Sequence, residues 1–179
     1  MDTVVLSGTF DESWASVEAL RIGNPSSSGR TPDAFALVER EGSPHFRVDL
    51  YRGPEEFGVD AMHEVVIWSG FVVIGIWEHV YFVDLEANPK IVLEFNLGAY
   101  FDEMKSTDDR LLVASGERVF SFDSNGRPEW KSAQLGIDGI VIHSVEANVV
   151  LGAGEWDPPG GWRPFALSAT SGEVLRDAA

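Results

Sequence analysis

Leu111-Leu112-Val113-Ala114-Ser115-Gly116-Glu117-Arg118-Val119-Phe120-Ser121-Phe122-Asp123-Ser124-Asn125-Gly126-Arg127-Pro128-Glu129-Trp130 is the stretch that decides the fold. It reads as an apolar strand, a turn of small and polar residues, an alternating strand, an Asn-Gly turn and a third strand. Alternation over four to eight residues marks half-buried strands, and Asn-Gly between two such runs marks a hairpin. The unit recurs. Val72-Val73-Ile74-Gly75 precedes Leu111-Leu112-Val113-Ala114 by 39 residues, and Val149-Val150-Leu151-Gly152 follows it by 38. Glu78, Glu117 and Glu155 keep step, and Val80-Tyr81-Phe82-Val83-Asp84 matches Val119-Phe120-Ser121-Phe122-Asp123. In the third copy the loop Glu155 to Trp162 interrupts the match, which resumes at Pro164-Phe165-Ala166-Leu167-Ser168.

A unit of about 38 residues with three or four strands has the size of a propeller blade. One such sheet cannot bury both faces by itself, so copies stack and share cores. The pattern therefore predicts an all-β chain of blade-like antiparallel sheets, a small or incomplete β-propeller, with a β-sandwich as the alternative. Val73, Leu112 and Val150 are expected to be buried at equivalent places, as are Phe82 or Val83 and Phe122. Further strands are predicted at Thr3–Ser7, Ala15–Ile22, Ala34–Arg40 and His45–Tyr51, and in the repeats at Glu64–Ser69, Phe71–Ile76, His79–Leu85, Lys90–Phe95, Arg110–Ser115, Arg118–Asp123, Glu129–Ser132, Gly139–Ser144, Asn148–Gly152, Arg163–Ser168 and Glu173–Leu175. No long amphipathic helix stands out; Ser13 to Leu20 is the best short candidate.

The organisation expected is one all-β domain over 1–179. An N-terminal strand and flexible loop take up 1–32, a degraded repeat 33–62 and three repeat units 63–179. The composition of Asn24 to Pro32 is that of a flexible loop. Thr3–Ser7 is placed to close a ring by completing the last sheet.

Residues 110–130 resemble the repeat of PQQ-dependent dehydrogenase-type (quinoprotein-like) β-propellers, and Phe165 to Val174 is similar to the second half of that repeat. The resemblance extends over roughly 64–176. The Trp of the repeat, Trp130 here, is replaced near Leu93 in the first copy and missing in the third. What the resemblance implies is architecture only: full members have many more blades, and none of their cofactor-pocket residues maps onto this chain. No cofactor is therefore expected.

Charge narrows the function classes. The chain holds 13 Lys plus Arg against 29 Asp plus Glu, a formal net charge of −16. Such a surface repels phosphate backbones, which argues against nucleic acid and makes a basic protein the more natural partner. The absence of cysteine excludes disulfides, thiolate metal sites and cysteine catalysis, and suits a reducing compartment. No run approaches the ~20 apolar residues of a membrane span, and Met1-Asp2-Thr3 opens no basic signal segment. The chain reads as cytoplasmic.

Catalytic patterns are weak. His45, His63, His79 and His143 stand in different strands without ligand spacing; His63-Glu64 near Glu78-His79 is the sole clustered imidazole–carboxylate candidate. The pairs Glu55-Glu56, Asp102-Glu103 and Asp108-Asp109 read as solvated loops, since neighbours on a strand point to opposite faces. Asp123-Ser124-Asn125-Gly126 opens like a calcium loop but lacks the later ligands, so a hairpin turn explains it better. Gly152-Ala153-Gly154 leads to Pro-Pro and not to a helix, unlike a dinucleotide fingerprint. No metal site is expected.

The one unusual local feature is Trp156-Asp157-Pro158-Pro159-Gly160-Gly161-Trp162, inserted where the other copies turn tightly. Trp156, Asp157 and Trp162 are the candidate binding residues, able to grip a sugar face, a proline-rich segment or a cation. The opposing reading folds both indoles back as a lid over the core. Three functions stay open: a non-catalytic protein- or ligand-binding module; an acidic inhibitor or immunity-type protein against a basic toxin or nuclease; and a hydrolase or lyase with a composite carboxylate–histidine site.

Overall fold

The computed structural model describes residues 2–23, 31–51, 63–86 and 89–175. Most of the Asn24 to Pro32 loop and the Glu55-Glu56 pair lie outside them. The described chain forms four sheets, taken up in sequence order. Sheet 1 is built from β1 (Asp2–Ser7), β2 (Ala19–Gly23), β3 (Ala34–Arg40) and β4 (Ser43–Tyr51), in the order β1-β3-β4-β2, with β2 parallel to β4. Sheet 2 is an antiparallel meander of β5 (His63–Trp68), β6 (Phe71–Ile76), β7 (His79–Asp84) and β8 (Ile91–Asn96). Sheet 3 repeats it with β9 (Phe101–Ser106), β10 (Arg110–Ser115), β11 (Val119–Asp123) and β12 (Pro128–Lys131). Sheet 4 has β13 (Ile140–Glu146), β14 (Val149–Glu155) and β15 (Trp162–Ser168), with one bridge from Leu167 to Val174 where a fourth strand would lie.

The sheets stack because their central strands are apolar on both faces. Val72 and Ile74 pack with Ala36, Val38 and Phe46 between sheets 1 and 2, whereas Val73, on the other face, packs with Leu111 and Val113 between sheets 2 and 3. Leu112 and Ala114 meet Ile140, Ile142 and Val150 between sheets 3 and 4. Close packing continues where no side chain is present: a Cβ on Gly75 would lie 2.1 Å from the Phe101 ring, so the glycine is the slot that lets the next sheet's aromatic approach. The first strands β1, β5, β9 and β13 follow one another in contact. No comparable contact joins β13 to β1 among the described residues, so the array is an open arc of four blades.

Several expectations change. Thr3–Ser7 does not complete the last sheet; β1 pairs with β3 in full register from Asp2↔Arg40 to Ser7↔Phe35. Ala15–Ile22 is a strand only from Ala19, because Asp11 caps a 3-10 turn at Glu12–Trp14 by accepting from the Ser13 amide. β9 occupies Phe101–Ser106, where no strand is predicted from the charged run Asp102-Glu103-Met104-Lys105. Val150 is buried, but it is not the counterpart of Leu112. It faces sheet 3, as Val72 faces sheet 1 and Leu111 faces sheet 2, and these three lie 39 residues apart at each step. The true repeat of Val73 and Leu112 is therefore Leu151, one residue later.

That shift has a measurable consequence. Leu112 is fully buried and Leu151 is 38% exposed at the same blade position. Leu112→Ala is expected to cost about 2–5 kcal/mol in urea unfolding, and Leu151→Ala less than about 1 kcal/mol. Equal costs would place both residues in the same environment and overturn the register.

Candidate functional site

The inner strand of each blade has one edge unpaired within its own sheet, and its amides need acceptors. For β9 and β13, carboxylates of the preceding blade supply them. Glu64 of β5 accepts from the Met104 amide at 2.7 Å, and 39 residues later Glu103 of β9 accepts from the Ile142 amide. Asp102 accepts from the Ile140 amide at 2.7 Å. Adjacent strand residues normally diverge, but Ala114 opposes Glu103 and Ser115 opposes Phe101, leaving Asp102 in a bulge. The bulge turns both carboxylates towards sheet 4. The reading of Asp102-Glu103 as a solvated loop is thus corrected: Asp102 is buried and both residues are structural acceptors. Lys105 adds its ammonium to the carbonyls of Ile142 and His143. Trp68 donates its indole N–H to the Thr107 carbonyl, and Trp130 donates to the Ala169 carbonyl, each tying its blade to the next.

The imidazole–carboxylate candidate is not assembled. His63 and His79 both pair with Ile76, one on each side, which sets them two strand spacings apart, ~10 Å. His79 meets the Asn96 amide at 3.1 Å and stacks on Tyr81, while Glu64 is engaged with Met104. Asp109 accepts from Arg110 and, more weakly, from Thr107, and the two hold its carboxyl well down, at about 2. Asp123 accepts from the amides of Asn125 and Arg127, with Gly126 at φ 73°, as a hairpin turn requires. The bond from the Arg127 amide is the main cause that lowers its pKa. No group of three or more His, Asp or Glu is placed to hold a metal ion among the described residues.

The aromatic loop is a closed hairpin. The Trp156 amide donates to the Gly161 carbonyl, the Gly161 amide to the Asp157 carbonyl, and the Gly160 amide to the Glu155 carboxylate. The two indoles part company. Trp156 is half-buried under the Arg163 guanidinium, 5.5 Å from its ring. Trp162, the neighbour of Arg163 along β15, points to the opposite face. It is 44% exposed and lies across Glu155 towards Gly139, whose Cβ would come within 3.2 Å of the indole. Asp157 is exposed at the loop tip.

Trp162 therefore belongs to the outward face of sheet 4. Cross-strand pairing sets Val141, Ala153 and Pro164 in one row on that face and Leu151 beside Ala166 in the next. The Leu175 amide donates to the Ala166 carbonyl, so Leu175 extends the second row. Val141 and Leu175 are exposed to nearly the same degree as Leu151. The opposite end of the array differs. Phe10, Trp14 and Val17 fold over Phe35 and Leu37, Phe10 meets Phe35 edge-on at 4.7 Å, and Arg47 sits over the Phe10 ring and donates to the Trp14 carbonyl.

Next to Trp162 lies an acidic group. Tyr100 donates to Asp138 at 3.1 Å, and its phenol is pushed up by burial and then by the charges of Asp102, Asp138 and Glu155. Burial pushes Asp102 up to about 6; the Ile140 amide opposes this, and the charges of Glu103 and Asp138 add to it.

No family model matches the chain, and no curated protein sequence matches it. Among solved structures, the computationally designed Ika4 protein is similar at 13% identity, covering 70% of this chain and 79% of that one, with a TM-score of 0.52. The N-terminal domain of Nup159 is 14% identical with a TM-score of 0.40; this chain spans about half of it, 50%, using 93% of its own length. At these identities the first likeness concerns the fold alone.

Asp102 gives the site a pH signature. Its folded pKa exceeds the unfolded value, so its contribution to stability is complete below about pH 4 and is lost as the pH rises through about 6. Asp102→Asn, whose amide oxygen can still accept from Ile140, is expected to match the parent near pH 4 and to exceed it near pH 7 by up to about 3 kcal/mol. Denaturant titrations at several pH values check this; a pH-independent difference would remove the buried charge as its cause.

Proposed function

We propose that the chain is a non-catalytic binding module that engages a protein through the outward face of sheet 4, with Trp162 at one end of that face. The single observation that carries this reading is the apolar face itself. Among the described residues, the facing sides of neighbouring sheets are buried and Phe10, Trp14 and Val17 cover part of the outer face of sheet 1, whereas this face presents Val141, Leu151, Trp162 and Leu175 to solvent. Contiguous exposed apolar surface rimmed by polar residues marks interaction sites. Trp162 supplies a large amphipathic anchor of the kind that dominates interface energetics. The resemblance of residues 110–130 to the repeat of quinoprotein-like propellers is in keeping with a blade architecture and adds no chemistry to it.

A second reading keeps the acidic inhibitor. The net charge of −16, and the Asp138 and Glu155 carboxylates that act on Tyr100 near Trp162, favour a basic protein as the partner. The two readings differ in salt response, because a charge-led contact weakens as ionic strength rises and an apolar one does not.

The test compares partners retained from a cell extract by the wild-type chain, by Leu151→Glu and by Trp162→Ala, with melting curves as a folding control. Loss of a retained protein in both variants at unchanged melting temperature is the expected result. Identical retention by all three chains would exclude this face.

A further inference from the structure

We infer that residues 8–17 form a strap that lifts as a unit from the outer face of sheet 1 while every strand stays paired, and that Arg47 is its latch. The strap lies at the end of the array away from the proposed binding face and does not depend on that reading. β1 and β2 stand at opposite edges of sheet 1 and run the same way, so the chain between them crosses the outer face over β3 and β4. Ser7, Phe35, Asp49 and Arg21 form one cross-strand row, and Ala19 lies two residues before Arg21. Three strand spacings across and two residues along separate Ser7 from Ala19 by about 16 Å, from ~4.8 Å between strands and ~3.3 Å per residue. The intervening chain, fully extended, reaches roughly 40 Å. The crossing is therefore slack, and its path over the sheet is set by what it touches and not by its length.

Those contacts are few. The chain leaves the sheet at Gly8, where an added Cβ would meet nothing within 4 Å. Asp11, Glu12, Ser13, Ala15 and Ser16 are exposed, while Phe10, Trp14 and Val17 reach down to Phe35 and Leu37. Among the described residues, the backbone bonds of the 3-10 turn stay within the strap: the Trp14 amide donates to the Asp11 carbonyl, Ala15 to Glu12 and Val17 to Trp14. The bond that reaches the sheet comes from one side chain. Arg47 donates through Nη1 to the Trp14 carbonyl, and its guanidinium lies 4.6 Å from the centre of the Phe10 ring. At the far end the Arg47 amide donates to the Glu18 carbonyl, which continues the pairing of β2 with β4 and serves as the hinge.

The latch is held from below. Arg47 and Asp49 project onto the same outer face as Phe35 and Leu37, in the pairs Leu37↔Arg47 and Phe35↔Asp49. Asp49 is 5% exposed and accepts from Arg47 Nε at 2.8 Å. Taking an ion pair out of water carries a desolvation penalty that packed apolar residues avoid. Here the carboxylate fixes one edge of the guanidinium, so that the other edge meets Trp14 and the cation sits over Phe10. Lifting the strap undoes those two contacts and leaves the Arg47–Asp49 pair in place, with water free to take over from the Trp14 carbonyl. It also bares Phe35 and Leu37, so this end of the array is sealed or open according to the strap. Segments with few buried contacts open locally at a free energy below that of the whole fold.

Hydrogen exchange of the full chain, read by mass spectrometry over the strap and over β3 and β4, tests this. In the wild type the amides of Trp14, Ala15 and Val17 are expected to exchange more slowly than in a free peptide, but about tenfold or more faster than those of β3 and β4. Arg47→Met combined with Asp49→Leu removes both charges without leaving either buried alone. It is expected to speed exchange in the strap several-fold and to leave β3 and β4 unchanged. Trp14→Ala, which keeps the ion pair, is expected to do the same. Strap amides that exchange no faster than those of β3 and β4 would make the segment part of the sheet core and overturn the proposal. Strap amides at the free-peptide rate in the wild type would overturn it too, since nothing would then be latched. Equal acceleration of strap and sheet in both variants would remove independent lifting, and an unchanged strap in the charge-free variant would remove Arg47 as the latch.

Discussion

The structure depends on one constraint: its central strands are apolar on both faces. Val72, Val73 and Ile74 are consecutive and all fully buried, as are Leu111, Leu112 and Val113. A strand of that kind cannot lie at a surface, so each sheet needs a neighbour before it and another after it. Stacking follows from this, and stacking in turn sets where the unmet demand falls. Sheet 1 meets its demand with a short segment of its own chain. Sheet 4, the last in the described array, does not.

Close stacking creates a second problem, the free edge of each inner strand. The solution is chemical and repeated. Glu64, Asp102 and Glu103 act as acceptors for amides of the following strand, and Lys105 as a donor to its carbonyls. A formal count of negative charge therefore overstates what the surface shows. Some of these carboxylates act as hydrogen-bond hardware, and the raised pKa of Asp102 records what that burial costs.

The repeat was legible in the sequence because hairpins are local. Phe71–Ile76 with His79–Asp84, and Arg110–Ser115 with Val119–Asp123, have apolar runs and turn residues that need no tertiary context to be read. The Asn-Gly turn likewise explained Asp123 without a metal. β9 was not legible, since its charges look like solvent exposure until the amides of β13 are beside them. The bulge at Asp102 defeats alternation for the same reason, as it is set by pairing with β10. In sheet 4, matching residue types aligned Val150 with Leu112, and only the pairing to β13 and β15 shows which face each residue takes. For the site, the sequence singled out the aromatic loop but joined two indoles that the hairpin separates. The signal for Trp162 was its place in an alternating strand with Pro164 and Ala166, and that of Trp156 was its nearness to Arg163.

The uncovered face also gives the array a direction of weakness. Sheets 2 and 3 are each held by two neighbours and sheet 4 by one, so partial opening that releases β13 to β15 exposes only the packing of Leu112, Ala114 and Val119. Opening sheet 2 would break two interfaces at once. In linear stacks, local unfolding follows the number of neighbours. Amide protection should therefore fall along the chain from the middle blades to the last, making the final hairpin the segment that melts first and re-forms last.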